Sequence, residues 1–131
     1  MIIINLTQHN ATQDQLEAGV RELPAELKAK AVEALTFDNI PSTGDIINRA
    51  RELTWVVQAA TTDIPRGDAV GVMIGGAPYL MGHLEDILQE EGFTPLYSFT
   101  RRETVEEKLE DGSVKKTAIF KHVGWVDPTR V

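Results

Sequence analysis

Residues 69–92, AVGVMIGGAPYLMGHLEDILQEEG, admit few folds. Val70 to Ile74 is a short apolar run with the length and β-branched content of a strand buried on both faces, the condition of a parallel strand. The run breaks at Gly75-Gly76 and resumes as a helix, with Leu80, Leu84, Ile87 and Leu88 in one apolar stripe and Gly92 as the stop. Pro78 falls in the first turn, where its missing N–H removes no helical bond. Strand, glycine pair and helix turn backbone N–H groups and a helix N-terminus toward one point, the geometry that seats a phosphate. The same pair also suits a tight turn that needs φ > 0 and binds nothing, so the choice depends on the rest of the chain.

Met1 to Leu6 reads as a first strand, because Ile2, Ile3 and Ile4 in a row leave no polar face. It runs into Asn5-Leu6-Thr7-Gln8-His9-Asn10, a series of hydrogen-bonding side chains almost without charge. Thr12 with Gln15 is a capping box, so a helix is expected there, burying Leu16 and Val20. In an open α/β sheet, ligands bind beyond the carboxyl ends of the parallel strands. Residues 5–10 hold that position on strand one and residues 75–79 hold it on the central strand, so the two are expected on one edge. The alternative is that Asn5 and Thr7 only satisfy loop backbone groups.

Between these segments the spacing predicts a helix over Pro24–Leu35, a short strand over Leu35–Ile40 and a long helix over Gly44–Thr62 capped by Ser42 or Thr43. Trp55 lies off the apolar stripe of that helix and is assigned to a neighbouring element or a second subunit. Thr61 to Asp68 is a turn. No repeat or composition shift divides the chain, and its 131 residues suit one α/β domain over 1–131.

After Gly92 the pattern becomes a hairpin, Thr94–Leu109 and Val114–Val126 about Asp111-Gly112. A two-residue turn there pairs positions that sum to 223. Tyr97, Phe99, Val105 and Leu109 then share a face with Val126, Phe120, Ala118 and Val114, and Arg101 opposes His122. Arg101 and Arg102 become candidates for phosphate contact, against a structural Arg101–Glu103 pair or a hairpin slipped by one residue.

The chain carries 13 basic and 20 acidic residues, a formal charge of −7, which argues against a partner that is a long nucleic acid. A small phosphorylated ligand in one pocket remains compatible. There is no cysteine, so neither a disulfide framework nor a thiolate site is available. No apolar run reaches the length of a membrane span, and MIIINLTQHN has no basic n-region or cleavage site, so a cytoplasmic protein is expected. The acidic residues show no metal-ligand spacing, and no cofactor is indicated.

In element order the chain resembles the CRISPR-associated Rossmann-fold (CARF) superfamily, closest to its small standalone ring-nuclease-like members. The residues that carry the resemblance are the polar end of strand one (Asn5, Thr7, His9) and the turn Ile74-Gly75-Gly76-Ala77-Pro78. It implies a Rossmann-like, mostly parallel sheet flanked by helices, with a C-terminal antiparallel hairpin. It also implies a homodimer that holds a cyclic oligoadenylate, a messenger of CRISPR antiviral defence, across its two-fold axis. Cleaving members of the superfamily use no metal and set a ribose 2′-hydroxyl in line with its own phosphate.

On that reading Asn5, Gln8, Asn10, Gly75, Gly76, Ala77, Pro78, Tyr79 and Arg101 contact the ligand. His9 serves as general acid or base with Thr7 beside it. His83, within a helix, reads as structural, and His122 depends on the hairpin register. Ser98 and Thr7 lack a Ser-His-Asp context. Two other functions stay open: a non-catalytic nucleotide sensor or sponge, and a mobile-element protein whose Trp55 and hairpin meet another protein.

Overall fold

Three consecutive isoleucines favour an inner strand, and β1 (Ile2–Asn5) lies between two neighbours in the computed structural model, which describes residues 1–129. The chain continues through α1 (Gln13–Glu17), β2 (Val20–Arg21), α2 (Ala25–Leu35), α3 (Thr43–Ala60), β3 (Val70–Met73), α4 (Pro78–Glu90), β4 (Thr94–Lys108) and β5 (Val114–Val126). The strands form one sheet in the order β2-β1-β3-β4-β5, with the first four parallel and β5 antiparallel to β4. This is the expected α/β class, a mostly parallel sheet with a C-terminal antiparallel pair.

The connection from β1 goes to β2 on one side, whereas the next strand, β3, adds on the other. Loops leaving β1 and β3 therefore diverge, and a crevice opens between them at the carboxyl edge. Asn5 pairs with Met73, so the two strands end level there.

The two sheet faces are covered unequally. Ile4, Val72 and Ile74 face a core completed by Leu53 and Val57 of α3 and Leu80, Leu84 and Leu88 of α4. On the other face Ile3, Val20, Met73 and Leu96 are covered by Ala11, Trp125 and the single short helix α1.

Local signals place most helix ends. Thr12 and Ser42 both form reciprocal capping boxes, with Gln15 and Asp45 as partners. The Ser42 backbone and hydroxyl bonds hold the Asp45 carboxyl below its usual range. Folding is thus favoured by this group above its unfolded pKa, and the contribution fades as pH falls through the lower folded value.

Two expectations before the hairpin fail. Val20 is buried on β2 and not on the first helix, which stops at Glu17, while Leu16 remains 41% exposed. The reason is Gly19, whose φ of +102° reverses the chain so that its carbonyl accepts the Ile3 amide at 3.1 Å. A Cβ at Gly19 meets the Met1 carbonyl oxygen at 2.9 Å. Gly19→Ala should therefore lower unfolding free energy by about 1–3 kcal/mol, read from the urea midpoint; an unchanged midpoint removes this account of the turn. The predicted strand Leu35–Ile40 does not form: Leu35 ends α2, and residues 36–42 are a loop. There Phe37 packs edge-on against Tyr79 at 5.2 Å, and Ile40 stays 98% exposed.

The hairpin differs from a two-residue turn in an instructive way. Leu109 N–H donates to Ser113 O at 2.8 Å and Gly112, at φ +86°, donates to Leu109 O at 3.0 Å, which closes a three-residue loop. The extra residue moves every partner by one, giving Arg101↔Lys121, Arg102↔Phe120 and Val105↔Thr117. A β-bulge between Phe99 and Thr100 then takes the offset back, so that Tyr97↔Val126 and Ser98↔Trp125 hold at the base. The expected Arg101–His122 opposition is thereby corrected: His122 faces Thr100. So are the shared faces, since Phe120 and Ala118 lie opposite Arg102 and Thr104.

Candidate functional site

The loop after β1 takes its shape from Asn5, which is fully buried. Its amide nitrogen donates to His9 O at 2.8 Å and to Glu22 Oε1 at 2.6 Å. Its oxygen accepts the Thr7 amide at 3.0 Å and the Thr7 hydroxyl at 2.7 Å. Both donors and both acceptor sites are thus used within the chain. Asn5, expected to touch a ligand, instead spends its hydrogen bonds on clamping the loop after β1. Glu22 also accepts the Ala11 amide at 3.2 Å. Lys28 places its ammonium against the carbonyls of Thr7 and His9 at 3.1 and 3.2 Å.

Between this loop and the turn after β3 lies a cleft of about 360 Å³. Thr7, Gln8, His9 and Asn10 form one wall, with Thr12 and Gln15 of α1 beside them. Met73, Ile74, Gly75 and Gly76 form the floor, and Tyr97 and Ser98 of β4 form the far wall. No aspartate or glutamate is among these residues. The Ile74 amide is bonded to Leu96 O at 3.0 Å, but those of Gly75, Gly76 and Ala77 meet no acceptor among the described residues. Gly76 has φ +151°, a conformation essentially reserved for glycine, and the unbonded amides of Gly75 and Gly76 are the backbone donors at the floor. The loop after Gly76 carries no lysine or arginine, so Lys28, behind the facing wall, is the cation nearest in the hydrogen-bond network.

Six sequence-predicted residues meet here: Thr7, Gln8, His9, Asn10, Gly75 and Gly76. Five others do not line this cleft, the buried Asn5 among them. Ala77 and Pro78 begin α4, and Tyr79 points to the Phe37 loop. Arg101 stands exposed on the hairpin beside Lys121. The His9 imidazole is exposed and makes no side-chain hydrogen bond among the described residues, whereas His83 borders a groove between α3 and α4.

Sequence reasoning missed the far wall. Tyr97 donates to Glu85 Oε2 at 2.6 Å, and burial followed by that bond raises its phenol well above the usual value, so it stays protonated. Ser98 Oγ lies 2.6 Å from His122 Nδ1 and receives Gln15 Nε2 at 3.2 Å. The His122 ring rests on Trp125 with centroids 4.5 Å apart. Residues 15, 98 and 122 are far apart in the chain, and no local spacing signals their meeting. Lys28 was equally hidden as one of several polar positions on an amphipathic helix.

Among comparisons with known proteins, the model of a family described as the uncharacterized protein MJ1673 family matches residues 1–126. No curated protein matches, and no solved structure matches.

Proposed function

The chain belongs to the MJ1673 family, and we propose, from its cleft and not from that family, that it binds a cyclic oligoadenylate and cleaves it without a metal, as a ring nuclease of CARF type. The observation that carries this reading is the acid-free cleft at the point where strand order reverses, floored by the unbonded amides of Gly75 and Gly76. A protein with a net charge of −7 otherwise repels a polyanion, so a neutral-to-positive cleft is a specific feature. Thr7, Gln8 and Asn10 offer neutral hydrogen-bonding groups for ribose and base, and His9 offers an imidazole free to move a proton. A cytoplasmic location belongs to the same proposal.

The test is incubation with cyclic tri-, tetra- and hexa-adenylate followed by chromatography. Linear products support the nuclease. Unchanged ligand eluting with the protein favours a sensor or sponge, and no association removes the ligand class.

A homodimer belongs to the same proposal, because a cleft of about 360 Å³ is at the small end of ligand pockets and a cyclic oligonucleotide spans more than one. The hairpin arm is the surface suited to it. Phe99, Ile119, Phe120 and Val123 are exposed by 42–71%, and an isolated two-stranded ribbon is marginal in water. Residues 100–126 carry six basic and five acidic side chains while residues 1–99 carry six and fourteen, so the arm of one copy complements the acidic body of another. Sedimentation velocity should show a dimer that Phe120→Asp weakens at least tenfold. A wild-type monomer at high concentration would exclude this arrangement.

A further inference from the structure

We infer that Ser98 and His122 form a proton-transfer pair on the cleft wall, which takes the hydrogen of the attacking ribose 2′-hydroxyl. This rests on the ring-nuclease reading above and assigns the base that reading lacks.

Gln15 orients one side of the pair. Its Oε1 accepts the Thr12 amide at 3.0 Å as part of the capping box, so its NH₂ must face Ser98. Ser98 Oγ accepts that N–H at 3.2 Å, which uses one of its two lone pairs, and lies 2.6 Å from His122 Nδ1. In the tautomer that the proposed role requires, Ser98 donates to Nδ1 and the ring hydrogen sits on Nε2. Trp125 against the ring fixes its plane. Ser98 lines the cleft, and His122 stands behind it.

The bulge between Phe99 and Thr100 makes the meeting possible. In the register of the hairpin base, His122 would oppose Arg101 and point to the face away from Ser98. One inserted residue opposes it to Thr100 instead, on the Ser98 side. Bulges recur where a sheet must re-aim a side chain beside a site, and this one serves the cleft.

In the step, the ribose 2′-hydroxyl gives its hydrogen to Ser98 Oγ as the Ser98 hydrogen passes to His122 Nδ1. The 2′-oxygen bonds to phosphorus, and the bond from phosphorus to the 5′-oxygen breaks. His9, on the facing loop, gives a proton to the departing 5′-oxygen. The products are a 2′,3′-cyclic phosphate and a 5′-hydroxyl, with every proton accounted for. Ser98 touches the reacting hydroxyl, while His122 acts through Ser98.

His122→Asn separates this role from a structural one, because an asparagine carbonyl can accept the Ser98 hydrogen yet cannot take up the proton. With whichever of cyclic tri-, tetra- and hexa-adenylate the wild-type protein cleaves fastest as probe, cleavage by this variant and by Ser98→Ala should fall about 10²–10⁴-fold. The Kd measured by calorimetry and the melting temperature should stay near the wild-type values. His122→Gly should regain rate with added imidazole, which a purely structural contact does not permit. If wild-type protein yields cyclic-phosphate ends and His122→Asn cleaves at the same rate, the pair is overturned and the ring-nuclease reading stands. If wild-type protein cleaves none of cyclic tri-, tetra- and hexa-adenylate, that reading fails and the pair falls with it.

Discussion

His9→Ala should lower the rate of cyclic oligoadenylate cleavage by about 10²–10⁴-fold, the span typical of a lost acid or base. The imidazole stands at the cleft wall with no hydrogen bond of its own among the described residues, so nothing inside the fold depends on it. Its backbone is held independently: the His9 carbonyl accepts from Asn5 and Lys28, and the His9 amide donates to Thr7. The loop should therefore keep its shape in the variant, and the floor amides of Gly75 and Gly76 should still seat a phosphate. A large fall in rate with Kd changed less than about threefold, about 0.7 kcal/mol, is the expected pattern. Cleavage at the wild-type rate would exclude His9 from proton transfer, leaving in-line positioning by the loop and the glycine turn as the source of rate.

Asn5→Asp should destabilise the fold by about 3–5 kcal/mol at neutral pH, comparable with breaking a buried charge pair and a large part of a typical 5–15 kcal/mol margin. The substitution keeps the side-chain shape but converts the donor that meets Glu22 Oε1 at 2.6 Å and His9 O at 2.8 Å into an acceptor. Two carboxyls at that separation do not both ionise, so one must retain its proton in the folded state. Its folded pKa then lies above the unfolded value. The associated stability is complete below the unfolded value and is lost as pH rises through the folded one. Urea titrations of variant and wild type should thus differ more at pH 7.5 than at pH 4.5. Equal stability at both values would show that Asn5 does not hold the loop.

Much of the architecture was legible locally. The isoleucine run, the Val70–Ile74 run, the capping boxes at Thr12 and Ser42, and Gly92 with φ +86° each act within a few residues, through burial, capping or backbone conformation. These signals sufficed for α/β class and for bringing residues 7–10 and 75–76 to one sheet edge. What they left open depended on offsets and partners remote in sequence. A strand reverses its facing with each one-residue slip, so a three-residue loop at the hairpin tip and a bulge at its base decided which side His122 occupies. Asn5 read as a ligand contact because its type and place suit one. Only the arrival of Glu22, seventeen residues on, shows that its hydrogen-bonding capacity is spent on the loop. Composition and periodicity determine which segments are buried and how the chain turns between them. Tertiary structure alone decided whether each polar side chain is satisfied inside the protein or left free for a ligand, because that depends on distances between elements that no local pattern encodes.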